Sequence, residues 1–110
     1  MSEIHVVYMC RYAGKFGVIY FTRLGVLPFL PSPGMGINFD EGNMMLHVTS
    51  STMIERGSFV DRALVWDDKT EELTVELEDI NDDYIPNRCS SREEAIHSIK
   101  EAGFKILPRV

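Results

Sequence analysis

Clustered lysine and arginine are missing from this 110-residue chain, and so are the spacings that gather metal ligands or catalytic groups. Seventeen acids against eleven bases leave a net charge of −6. Phosphate neutralisation needs a basic patch, so no nucleic-acid partner is expected, and an anionic membrane surface is repelled for the same reason. The longest charge-free stretch, Leu24 to Phe39, contains Pro28, Pro31 and Pro33 beside Gly25, Gly34 and Gly36. Such a stretch does not cross a bilayer as a helix. No basic n-region leads an apolar core at the N-terminus, so no secretion signal is expected. Cys10 and Cys89 form no CxxC pair; the expectation is two reduced, buried thiols in a cytoplasmic protein.

Catalytic signatures are equally scarce. His5, His47 and His97 stand apart, with no HxH or HExxH spacing, so no metal and no cofactor is expected. Asp79, Asn81 and Asp83 match the first, third and fifth positions of a calcium loop. Tyr84 then stands where the sharp turn needs glycine, and Ser90 where the bidentate glutamate belongs, which excludes an EF-hand. There is no GxSxG elbow, and Gly34-Met35-Gly36 follows Pro33 and opens no helix, so it is no phosphate loop. The enzymatic alternative that remains uses His5 and His47, on strands the fold could bring together, with a nearby carboxylate or thiol.

Hydrophobic content of 45% and charged content of 25% are those of a globular protein, and the length fits one domain, residues 1–110. Ile4 to Tyr12 and Phe16 to Arg23 read as strands of one hairpin joined through Ala13-Gly14-Lys15. Both carry apolar residues on both faces, as strands in the middle of a covered sheet or closed barrel do. Leu24 to Gly36 has neither strand nor helix period and reads as an apolar loop. Ile37–Phe39 and Met44–Thr49 flank a turn at residues 40–43. Ser50 to Ser58 reads as a bend with a short strand near Met53. Val60 to Trp66 and Glu72 to Glu78 form a hairpin turning at Asp67-Asp68-Lys69-Thr70. The strict alternation of its second arm gives one wet face near a sheet edge.

Ser90 and Ser91, with Glu93 and Glu94 three residues later, offer two overlapping capping boxes for the one helix. Ala95, Ile96, Ile99 and Ala102 give it an apolar stripe, and Gly103 ends it. Phe104 to Leu107 is a short final strand. The expected fold is therefore α+β, a mostly antiparallel, strongly curved sheet or partial barrel of hairpins with one C-terminal helix.

Two surfaces are candidates for function. The first is apolar: Leu24, Val26, Leu27, Phe29, Leu30 and Met35, which either fold back as a lid or stand out as a sticky patch. The second is acidic. Residues 1–54 balance Arg11, Lys15 and Arg23 against Glu3, Asp40 and Glu41, whereas Asp67–Asp83 sets nine acids against Lys69. Asp67, Asp68, Glu71, Glu72, Asp79, Asp82 and Asp83 form either a solvated face or a surface for a basic partner.

Trp66-Asp67-Asp68-Lys69-Thr70, the following Leu73–Asp79 arm, and the closing Glu93-Glu94-Ala95-Ile96…Glu101-Ala102-Gly103-Phe104 unit give the last third of the chain its style. In that style it resembles the small acidic proteins carried by bacterial mobile elements such as integron gene cassettes. The resemblance implies a bacterial, cytosolic accessory protein and transfers no catalytic residue. The leading expectation is a noncatalytic binding protein working by protein–protein contact, immunity- or antitoxin-like or an adaptor, that forms a homo-oligomer through a strand edge or the Leu24–Met35 loop. The other is a carrier or sensor of a small apolar ligand, with its pocket under the 24–36 loop.

Overall fold

Alternating apolar residues set the two longest strands. In the computed structural model, β1 (Ile4–Gly14) turns through Lys15 and Phe16 into β2 (Gly17–Leu27), antiparallel in register from Ile4↔Leu27 to Gly14↔Gly17. The structure describes residues 3–39, 44–49, 52–55, 58–61, 64–84 and 89–107, and for 52–55 and 58–61 the strand pairing alone. Two small antiparallel hairpins follow: β3 (Gly36–Phe39) with β4 (Met44–His47), and β5 (Thr52–Glu55) with β6 (Ser58–Asp61). Then come β7 (Leu64–Asp67), β8 (Glu72–Glu76), a 3-10 turn at Asp82–Tyr84, α1 (Arg92–Lys100) and β9 (Lys105–Ile106). The fold is α+β.

The main sheet has five strands in the order β7-β8-β1-β2-β9 and stays open. β1 lies at its centre, antiparallel to β2 but parallel to β8, from Val6↔Leu73 to Met9↔Glu76. One face is fully covered. Val6, Tyr8, Cys10 and Tyr12 of β1, Ile19 and Phe21 of β2, and Leu73 and Val75 of β8 are buried there. They share one core with Phe39, Met44 and Leu46 of the β3–β4 hairpin and with Ala95, Ile99, Ala102 and Phe104 of the helical unit. Phe39 binds the layers, edge-on to Tyr8 at 5.2 Å and to Phe104 at 5.1 Å between ring centroids. The Arg23 guanidinium lies 4.9 Å from the Phe39 ring centroid and donates to the Ala102 carbonyl beyond the helix end.

The helix starts one residue later than the first capping box allows. Ser91 is the N-cap: the Glu94 N–H donates to its Oγ at 3.2 Å, while the Glu94 carboxylate reaches back to the Ser90 N–H at 2.9 Å. Gly103 adopts φ +91°, the left-handed stop its position calls for. Polar ties fix the far end of β1. Ile80 forms a parallel bridge with Tyr12, the Tyr12 hydroxyl donates to Asp82 Oδ1, and the Lys15 N–H donates to Asp82 Oδ2 at 3.0 Å. Gly14 makes room for this arrangement, since a Cβ there would fall 2.5 Å from Asp82 Oδ1 and 2.6 Å from the Tyr12 hydroxyl oxygen.

Several expectations change. Leu24 to Leu27 continue β2, so the apolar loop begins only at Pro28. Val60 belongs to β6, which pairs with β5, the short strand expected near Met53. β8 does lie near a sheet edge, with only β7 outside it, and its alternation comes from one wet outer face. The sheet closes into no barrel, and β1 and β2 are covered on one face where two were expected. The 40–43 turn lies outside the described residues.

Candidate functional site

The outer face of the sheet is built by the residues that alternate with the core. β1 contributes His5, Val7, Met9 and Arg11, and β2 contributes Val18, Tyr20, Thr22, Leu24 and Val26. β8 adds Glu72, Thr74 and Glu76, β7 adds Val65 and Asp67, and β9 adds Lys105. None of its apolar side chains belongs to the core or packs against it. Leu24 is 68% exposed and Tyr20 52%, and Val18, Val26 and Val65 are likewise open to solvent. Exposed and half-buried apolar side chains, interrupted by Thr74 and Thr22, thus meet water here, the kind of patch that marks interaction sites.

The sequence candidates divide accordingly. Leu24 and Val26 lie on this face, and Phe29 and Leu30 extend it beyond the end of β2, with Leu30 65% exposed. Leu27 and Met35 do not join them: both are half-buried against the core, because Leu27 points to the inner side and Met35 is held by backbone bonds to Ser32 and Val48. Pro31 is fully buried and pins the loop, while Phe29 and Leu30 stay outside. The segment is therefore anchored at Pro31 and Met35 and no lid is drawn over the sheet by Phe29 or Leu30.

The acidic candidates are also of two kinds. Asp68, Glu71, Glu72 and Asp83 have no partner among the described residues, and Asp67 closes its turn by accepting from the Lys69 N–H at 2.9 Å. Asp79 and Asp82, by contrast, are structural. Asp79 holds Arg11 bidentately, at 2.5 and 3.2 Å, and Asp82 is the anchor already described. The Tyr12 hydroxyl and the Lys15 N–H hold the Asp82 carboxyl below its ordinary value, since both stabilise its charged form. These two aspartates lie at the surface but spend their charge on Arg11, Tyr12 and Lys15.

A shallow hollow of about 510 Å³ opens on the outer face where β8 leaves β1. Met9, Tyr20, Val65 and Thr74 line it, with Glu76 and the Arg11–Asp79 pair at its polar side. A smaller hollow of about 290 Å³ lies between Cys89 and the helix face of Glu93, His97 and Ser98. Neither is lined by residues 24–36.

His5 and His47 are not brought together. His5 stands on the outer face, and His47 alternates with the buried Met44, Leu46 and Val48, so it points out of the hairpin that covers the opposite face. His47 instead lies 3.9 Å from Glu78. No group of three metal-ligating side chains forms among the described residues. Cys10 and Cys89 are free and buried, and burial pushes the Cys10 thiol up to about 12, the opposite of what a nucleophile needs. No helix among the described residues is long and apolar enough to cross a membrane.

Sequence reasoning found half of this surface. It missed Val7, Met9, Val18, Tyr20 and Val65 because an apolar strand face carries the same period whether it is covered or bare. No protein-family model, curated protein or solved structure matches the chain.

Proposed function

We propose that this chain is a noncatalytic binding protein of the cytoplasm that works by protein–protein contact through the outer face of its sheet, and that it associates with itself. One observation carries the reading: among the described residues, the sheet is roofed on one side by a helix and a hairpin, while on the other Val65, Leu24 and Val26 stay exposed and Val7 joins no core. Water contact with that much apolar surface is unfavourable by roughly 25 cal/mol per Å², and a protein partner removes it. The acids Asp67 and Glu72 flank the band on its β7–β8 side, where they exclude anionic surfaces and orient whatever docks. The buried free thiols suit a reducing compartment.

A photo-crosslinking residue placed at Leu24 in cells that express the chain tests this. It should capture protein, whether the same chain or another, far more than the same group at Glu93 on the exposed side of α1. Equal capture at the two positions would remove the reading.

A further inference from the structure

We infer that the occupant of the outer face is a second copy of this chain, packed sheet on sheet about a two-fold axis parallel to β1. This deepens the docking proposal above and rests on it. The strand register draws the face as rows. One row runs Val65, Thr74, Val7, Leu24, and the next runs Glu76, Met9, Thr22, Lys105. Seven residues of β1, from His5 to Arg11, span about 23 Å, and five strands span about 24 Å. Because β8, β7 and β9 are only five, four and two residues long, the face covers roughly 500 Å², so two copies bury on the order of 1,000 Å², the least that a specific interface needs.

Charge then chooses the axis. The acids Glu72 and Glu76 lie on β8, on one side of β1, and Lys105 lies on β9, on the other. A two-fold axis across the strands, through the Val7 row, sets Glu72 of each copy against Glu76 of the other, like charge on like. An axis along β1 avoids this. It puts His5, Val7, Met9 and Arg11 of β1 each against its own copy on the axis, Arg11 being already neutralised by Asp79, and it makes twice the contacts of Leu24 over Thr74 and of Glu76 beside Lys105 of the second copy. Tyr20 is one wall of the outer-face hollow, and the same rotation brings Tyr20 of the second copy to the opposite wall, beside Met9 and Glu76, where its ring meets apolar surface and its hydroxyl a carboxylate to donate to.

Light scattering on the full-length chain across a concentration series tests the inference. A mass of two chains should appear at high concentration. Leu24→Lys and Tyr20→Ala should each weaken the dimer at least tenfold with circular dichroism and melting unchanged in the monomer, both side chains being exposed. Glu76→Lys and Lys105→Glu should each weaken it, and the double reversal should restore it, which a merely structural role would not do. A monomer at every concentration overturns the second copy, yet leaves docking standing if Leu24 still captures a different protein. A dimer indifferent to Leu24→Lys, or one that the double reversal fails to restore, overturns the face or the axis.

Discussion

The two faces of the main sheet come from the same strands and nearly the same residue types, and their fates differ completely. Inward, Val6, Tyr8, Tyr12 and Phe21 are buried beneath Phe39, Ile99 and Phe104. Outward, Val7, Val18, Tyr20 and Leu24 alternate with them and belong to no core. Hydrophobicity thus fixes which elements form, but the number of covering elements fixes which face is stability and which is surface. One helix and one short hairpin suffice to roof one side.

The largest test sets neighbours on β2 against each other. Phe21→Ala should cost about 3–5 kcal/mol through its cavity, whereas Tyr20→Ala, one residue away, should cost about 0.5 kcal/mol or less when the chain is dilute. Urea unfolding reads both, and similar losses would break the contrast between faces. The next test uses pH. Asp82 titrates below its ordinary value in the fold, so the stability it lends is present above the unfolded carboxyl value and is lost as pH falls through the folded one. Asp82→Asn should therefore flatten the acid limb of the stability profile. Cys10 is shifted the other way: its contribution is intact below about 9 and lost as pH rises toward about 12. At neutral pH iodoacetamide should label Cys10 only on unfolding, and labelling of the native chain would mean that the inner face is open.

The smallest effect lies in the β7–β8 turn. Glu71 sits at φ +57°, in the left-handed region that favours glycine. Glu71→Gly should raise stability by about 0.5–1 kcal/mol without altering association, since the turn lies beside the outer face and not on it. A lost dimer in that variant would extend the interface to the turn.

How much could be read beforehand follows from what is local. The first hairpin, the β3–β4 pair, the capped helix and its Gly103 stop are written in near neighbours, and each is found. Leu24 to Leu27 read as loop from sequence because Gly25 and Pro28 are poor strand residues, yet Gly25 lies in close contact with the Tyr8 ring, 2.9 Å from where its Cβ would be. The parallel pairing of β1 with β8 has no local signal, being set by packing across the chain. The same holds for Asp79 and Asp82, which look like members of a charge run and serve as ties to Arg11 and Tyr12. The exposed patch was half legible: Phe29 and Leu30 stand out in any reading, but Tyr20 does so only once its side of the sheet is known to be bare.

The parallel partner of β1 also dictates an order of events at birth. The N-terminal hairpin is complete at Leu27, while the strand that must lie along its other edge ends only at Glu76. At roughly 5–20 residues per second, a ribosome needs on the order of 3–10 seconds to deliver the missing piece. Throughout that interval the nascent hairpin waits with both edges unpaired and both greasy sides wet, so the newborn chain, more than the finished one, is the form most exposed to aggregation.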